Sequence, residues 1–343
     1  MLSKVSERVL SMPLSGIRQV MEYAKGLSDV IFLNIGEPDF ETPKHIKEAA
    51  KKAIDEGFTH YSSIWGLPEL REAVAEKLER EQGMDVDANS EVLITAGAQP
   101  AFFASCQAFI NLGDEVIVPD PFYPSYEIAL RVVGAKIVRV PLNEEEDFVL
   151  NIDEVIEKIT DRTKMIVLIS PNNPTGSLLD KNTLKAVSEI AQEYDLMVIS
   201  DEIYEKIIYD GGKHVSIGSF DGMKERTVII NSFSKTYAMT GWRVGFVVAG
   251  EEIMKPIVKV HHTMNVCTCT ISQKAALSAL KGPQDCVEQM VEEYDRRRRE
   301  IIRLANDISG FKCHKPQGAF YIFPNVENLK MPSMELAKYL IKE

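Results

Sequence analysis

From about residue 90 onward, short β-branched runs alternate with segments whose apolar residues recur three and four positions apart. This alternation constrains the fold more than any other feature of the 343-residue chain. The strand-like runs are Glu91 to Thr95, Glu115 to Pro119, Lys136 to Val140, Met165 to Ile169, Met197 to Ser200, Thr227 to Ile230 and Val244 to Ala249. Between most of them lie helical patterns such as Leu184, Val187, Ile190 and Ala191. Such a chain predicts βαβ units, and hence an α/β fold with a three-layer α/β/α large domain on a mostly parallel seven-stranded sheet. A long charged helix is expected over roughly Cys286 to Ile308, and a further strand at Gly318 to Pro324 (GAFYIFP) in a smaller α+β domain. The expected division is 1–42 as an N-terminal arm with part of the small domain, 43–285 as the large domain, and 286–343 as the rest of the small domain.

Charge and composition narrow the function. A formal net charge of −12 opposes nucleic acid as the main partner. No apolar stretch reaches about 18 residues, and MLSKVSERVLSMPLSG lacks the apolar core of a signal peptide. The expectation is a cytoplasmic protein with small-molecule ligands and no membrane or nucleic acid partner. The five cysteines are odd in number and scattered, which fits reduced thiols. Cys267 and Cys269 form a C-x-C pair with no second pair at zinc spacing, so no metal is expected.

In open sheets of this kind ligands sit beyond the carboxyl ends of the strands. Those ends read TAGAQ (Thr95 to Gln99), PDPFYPSY (Pro119 to Tyr126), SPNNPTG (Ser170 to Gly176), SDEIY (Ser200 to Tyr204) and NSFSK (Asn231 to Lys235). A lysine such as Lys235 is a solvated surface residue unless its surroundings lower its pKa, when it becomes a nucleophile toward carbonyls. Its company is Ser232, Ser234 and, if Thr236 to Trp242 forms a loop, Arg243. Hydroxyls and a guanidinium converging on one point suit a phosphate. Gly97 permits a tight turn into a helix starting near Ala98, whose free amides suit an anion, although many such turns carry glycine for geometry alone. Asp201 ends an apolar strand, either as a helix N-cap or as the partner of a protonated ring nitrogen. SPNNPTG is a proline-driven turn or a ligand-facing loop. Together the pieces ask for a ligand with an aldehyde, a phosphate and a basic aromatic nitrogen, and pyridoxal 5'-phosphate has all three.

SFSKTYAMTGWRVG is highly specific, and with it nearly the whole chain resembles the fold-type I pyridoxal-phosphate enzymes, namely class I/II aminotransferases of the aspartate aminotransferase superfamily. The resemblance implies that Lys235 is the lysine that binds the cofactor aldehyde and later carries a proton. It makes Asp201 the ring-nitrogen partner, Tyr204 and Asn173 the pair on the 3'-oxygen, and Tyr123 the aromatic stacked on the ring. Ala98 and Gln99 match phosphate contacts, with Ser232, Ser234 and Arg243 completing the cup. Tyr61 resembles a tyrosine that reaches the phosphate from the neighbouring subunit of a homodimer. Gly36 in NIGEPDF resembles the glycine lining the substrate carboxylate site, beside Asn173.

What the resemblance implies is transfer of an amino group from an L-amino acid, aspartate or aromatic by preference, to a 2-oxo acid such as 2-oxoglutarate. Two other readings remain: a carbon–sulfur β-lyase on the same fold, and a non-catalytic cofactor-binding regulatory dimer. Family members usually continue beyond the equivalent of Glu343 through a segment with a carboxylate-binding arginine, a role no residue here can be assigned; the expectation is that the sequence covers part of a longer protein, the alternative being a short chain with altered substrate anchoring. His261 and His262 line the site opening or cap a helix. Arg296 to Arg299 read as a solvated or domain-packing helix face paired with nearby acids. Asn143 to Asp147 (NEEED) is an acidic loop without visible ligand logic.

Overall fold

Thr163–Ile169 reads TKMIVLI and is buried without interruption from Met165 onward, so it needs a helical layer on each side. The computed structural model describes residues 4–10, 12 and 16–343; residues 1–3, 11 and 13–15 of the expected N-terminal arm lie outside the described residues. All seven expected runs are strands: β1 (Val92–Thr95), β2 (Glu115–Asp120), β3 (Lys136–Pro141), β4 (Thr163–Ile169), β5 (Met197–Asp201), β6 (Thr227–Ser232) and β7 (Gly245–Val248). They form one sheet in the order β1-β7-β6-β5-β4-β2-β3. Only β7 runs antiparallel to its neighbours.

Strand alternation sorts the core into layers. Val116, Val118, Met165, Val167, Ile169, Ile199, Val228, Ile230 and Val247 face one cluster with residues of helices Ala98–Phe109, Pro124–Val133 and Glu251–Met264. The intervening Ile117, Ile166, Leu168 and Val198 face helix Lys181–Glu193. Near the other edge Val92, Ile94, Ile229, Phe246 and Val248 face helices Lys44–Asp55, Pro68–Gln82 and Thr270–Lys281. Local chemistry sets the helix ends. The Asp180 carboxylate accepts from the Thr183 amide at the start of Lys181–Glu193. Pro68 opens the helix that Gly83 closes at φ 67°. Among the described residues no helix is long and apolar enough to cross a membrane.

The reversal of β7 positions the site. Gly245 at its beginning lies opposite Thr95 and Ser232 at the ends of β1 and β6. Residues just before β7 therefore share the sheet edge where the parallel strands finish.

The C-terminal region departs from expectation in one respect. Helix Asp285–Asn306 is present, but Gly318 to Pro324 is not a strand. Its backbone is divided among different loops: the Gly318 amide donates to Gly176 O, the Ala319 amide to Ile207 O, and only isolated bridges form at Ile208–Gly318 and Lys312–Asn325. Ala319 adopts φ 57°, which no strand tolerates. The NEEED loop has a structural use: Glu144 receives the Asn325 amide and pairs with Lys312, holding the C-terminal region against the sheet domain. Helix Ser333–Lys342 packs on Gly16–Ala24.

The arginine run is split by the helix period. Arg296, Arg297 and Arg299 are solvent-exposed to differing degrees and pair with acids three and four residues back. Arg298 is 3% exposed; it grips both oxygens of Asp210, donates to Pro316 O and covers the Tyr209 ring. Arg298→Ala should lower the unfolding free energy by about 2–3 kcal/mol, because a buried carbonyl and a bidentate carboxylate lose their donor. Arg299→Ala should leave the urea midpoint nearly unchanged, as expected of an exposed pair.

Candidate active site

The carboxyl ends of β1, β2, β4, β5 and β6 and the start of β7 bring most of the expected residues to one edge. Lys235 lies in the short helix Phe233–Thr236 just after β6, where the Ser232 hydroxyl caps by accepting from the Ser234 amide. The Ser232 hydroxyl also donates to that of Ser234 at 2.8 Å. The chain then turns through Thr240–Trp242, and Arg243 takes a left-handed conformation, φ 51°, that aims it back. Its guanidinium donates to Thr240 O and lies against the turn after β1; a side-chain carbon on Gly97 would come within 2.6 Å of it. With φ 93° as well, position 97 admits only glycine without strain. Gly97 caps helix Ala98–Phe109, whose first amides have no intrahelical acceptor. Ala98, Gln99, Arg243, Ser232 and Ser234 thus border one cationic, donor-rich corner.

Lys235 is mostly buried, and its ammonium donates to the Gly36 carbonyl and stands 5.8 Å from the Phe320 ring centroid. Burial lowers its pKa to about 8, with the nearby Arg243 acting in the same direction and Glu37 and Asp201 opposing it. Asp201, 2% exposed, ends β5. Its carboxyl accepts from the Tyr126 hydroxyl at 2.6 Å and from the Ile203 amide at 3.1 Å. Burial nevertheless raises its pKa to about 6. A cation placed beside this carboxylate would relieve that cost.

Tyr204 and Asn173 both meet the hydroxyl of Tyr321, from the C-terminal region. That hydroxyl also fills the space a side chain on Gly36 would need. Burial drives the Tyr204 phenol well above its ordinary value and Tyr321 up to about 12, so both are neutral donors at physiological pH. Tyr123 is half-buried and meets Tyr126 edge to face at 5.2 Å. Tyr61 stands apart, 84% exposed. His261 lies in the last turn of Glu251–Met264, 1% exposed with neither ring nitrogen bonded, and burial lowers its pKa; His262 beside it is exposed.

Three contributors were not singled out in the sequence. Tyr126 is stacked on Phe102 at 3.7 Å and holds Asp201. Its signal was available, because it follows Tyr123 by three residues at a helix start and so shares its face. Phe320 and Tyr321 arrive from more than 80 residues downstream of Lys235, with no local sign of their destination.

Chemically the edge offers a lysine poised to act as a free amine, a carboxylate in need of a cation, and an anion cradle. The family model for class I and II aminotransferases matches residues 28–343. An aspartate aminotransferase of Pyrococcus abyssi is 46% identical over 99% of this chain and 87% of its own length. Aromatic-amino-acid aminotransferase 2 of Thermococcus litoralis is 43% identical over 99% and 87%. The crystal structure of an aromatic aminotransferase from Pyrococcus horikoshii superposes with a TM-score of 0.89 at 46% identity, covering 95% of this chain and 87% of that one. This chain belongs to the class I and II aminotransferases, and is thus an amino-acid transaminase, a transferase enzyme. The family uses pyridoxal 5'-phosphate.

A pH titration of Lys235 checks the electrostatics directly. Below about pH 8 the ammonium is unreactive and above it the free amine dominates. Competitive acylation read by mass spectrometry should give Lys235 a midpoint near pH 8, well below the ordinary lysine value of about 10.4.

Proposed function

We propose that this chain binds pyridoxal 5'-phosphate at the Lys235 edge and uses it to move an amino group from an L-amino acid, of aspartate or aromatic type, to a 2-oxo acid such as 2-oxoglutarate. The observation that carries the reading is the convergence of a lysine with pKa lowered to about 8, a buried carboxylate and the Arg243 and Gly97 corner on one sheet edge. The substrate class is supported by the relatives, an aspartate and an aromatic-amino-acid aminotransferase.

The residues present fit the cofactor. Asp201 is a buried acid without a cationic hydrogen-bond partner among the described residues, which suits a protonated ring nitrogen. The helix N-terminus at Ala98 and Gln99, with Ser232, Ser234 and Arg243, suits a phosphate dianion. Tyr204 and Asn173 offer donors to a ring oxygen, and Tyr123 an aromatic face. When bound, the cofactor supplies an aldehyde for the amino group and a ring that accepts the electron pair left when the substrate α-proton departs. Lys235 Nζ would take that proton as general base, which its lowered pKa permits near neutrality. Asp201 would pair with the ring cation of a bound cofactor, and Tyr126 keeps the Asp201 carboxylate oriented and favours its ionised form. Gly36 turns its carbonyl to Lys235, and its lack of a side chain admits the Tyr321 hydroxyl beside Asn173, so Gly36 and Asn173 border the space assigned to the substrate carboxylate.

The same reading makes the enzyme a cytoplasmic homodimer in which Tyr61, exposed in the single chain, reaches the partner's phosphate. It assigns 43–285 to the cofactor domain and 1–42 with 286–343 to a smaller one, supported by the confinement of the sheet to 92–248 and by the packing of Gly16–Ala24 on Ser333–Lys342.

The test is an absorbance titration of the protein loaded with pyridoxal phosphate, adding single amino acids. A visible band that aspartate or an aromatic amino acid bleaches, and that a 2-oxo acid restores, is expected. Lys235→Ala should abolish the lysine-linked band and reduce turnover by roughly 10³-fold or more. A band indifferent to Lys235→Ala would sink the assignment. Tyr126→Phe should weaken cofactor binding roughly tenfold, since Asp201 loses a charge-assisted hydrogen bond.

A further inference from the structure

In the sequence Asp201-Glu202-Ile203-Tyr204-Glu205, two acids that the proposed chemistry does not use are interleaved with two residues that it does. Alternation at the end of β5 turns Ser200 and Glu202 away from Asp201. Glu202, 1% exposed, accepts from the hydroxyls of Ser200 at 2.9 Å and Ser216 at 2.8 Å, and its other oxygen lies 2.9 Å from His214 Nε2. Glu205 is 2.7 Å from the buried ammonium of Lys77, which also pairs with Glu81; Lys206 completes the group by pairing with Glu81. Arg80 reaches Glu81 only from the exposed rim, where water screens it.

Charge balance decides the role of the histidine. Glu81, Glu202 and Glu205 oppose Lys77 and Lys206, so a neutral imidazole leaves one carboxylate uncompensated in a buried setting. Among the described residues His214 Nδ1 has no hydrogen-bond partner, a cost to the imidazolium that the facing carboxylates must outweigh. Burial and the nearby Lys77 ammonium work against the imidazolium, but Glu202 and Glu205 outweigh them and hold the pKa above the ordinary value. Glu202, Glu205 and His214 also offer ligand atoms within 4.8 Å of one another. Of these three, Glu205 is already paired with the Lys77 ammonium.

We propose that His214, as an imidazolium paired with Glu202, is a positioning residue: it balances the buried acids behind the Asp201 to Glu205 turn and so fixes Asp201 and Tyr204 at the cofactor. The inference rests on the cofactor site proposed above. Because the folded pKa of His214 is raised, its contribution is complete below its unfolded value of about 6.5 and is lost as pH rises through the folded one.

The test compares wild type, His214→Gln, Glu202→Gln and the double variant. Gln keeps hydrogen-bonding capacity but removes the charge, and the double variant removes one charge of each sign. Hydrogen exchange in cofactor-free protein reads the amides of Glu202, Ile203, Glu205 and Ile207, which bond to Ile230 O, the Asp201 carboxylate, Glu202 O and Tyr204 O. His214→Gln should speed their exchange roughly tenfold or more and weaken binding of added pyridoxal phosphate in proportion; the double variant should return both to within about twofold of wild type. If His214→Gln fails to fold while the double variant folds, the balance argument stands. No change in His214→Gln, or a double variant no better than the single, overturns it. Exchange is read without cofactor, so a protein that never binds pyridoxal phosphate refutes the proposed function while the turn is still tested.

Discussion

Two carboxylates leave water at the end of one strand, Asp201 toward one face of the sheet and Glu202 toward the other, and most of the site follows from keeping both there. A buried carboxylate is costly unless it is hydrogen-bonded and paired. Asp201 has two donors and a pKa raised to about 6, so its site favours an added positive charge. Glu202 has two hydroxyls and a histidine, within a network that reaches Lys77 on helix Pro68–Gln82. One acid is left open to an added cation and its sequence neighbour anchors the framework.

The second determinant is topological. Arg243 belongs to the anion corner because β7 enters the sheet antiparallel between β1 and β6. A parallel β7 would deliver its preceding loop to the opposite edge. The glycine at 97 then lets the guanidinium approach the backbone, and the helix beginning at Ala98 adds unpaired amides. No single one of these features makes an anion site; their coincidence at one edge does.

Legibility in the sequence followed the range of the interactions. The seven strands were readable to within about two residues at their ends, because a β-branched run and its neighbouring helical period are local properties. Lys235, Asp201 and Arg243 were singled out as candidates from strand ends and family motifs, and the fold brings them to one sheet edge. Tyr126 was passed over although its spacing from Tyr123 announced a shared face. GAFYIFP read as a strand because its residues favour one, yet its amides serve Gly176 and Ile207 instead, and Phe320 and Tyr321 enter the site. The arginine run read correctly as a paired helix face, but only packing singled out Arg298 as its buried member.

The sequence by itself determined the layers: hydrophobic periodicity and turn residues dictate which segments are strands and helices, and chemistry-bearing residues at their ends dictate the class of ligand. Tertiary structure alone decided which groups are charged and where they meet. The lowered pKa of Lys235 and the raised ones of Asp201 and His214 all come from burial and from partners distant in the chain. Desolvation and Coulomb terms depend on distances in space, and a one-dimensional pattern does not contain those distances until the chain has folded.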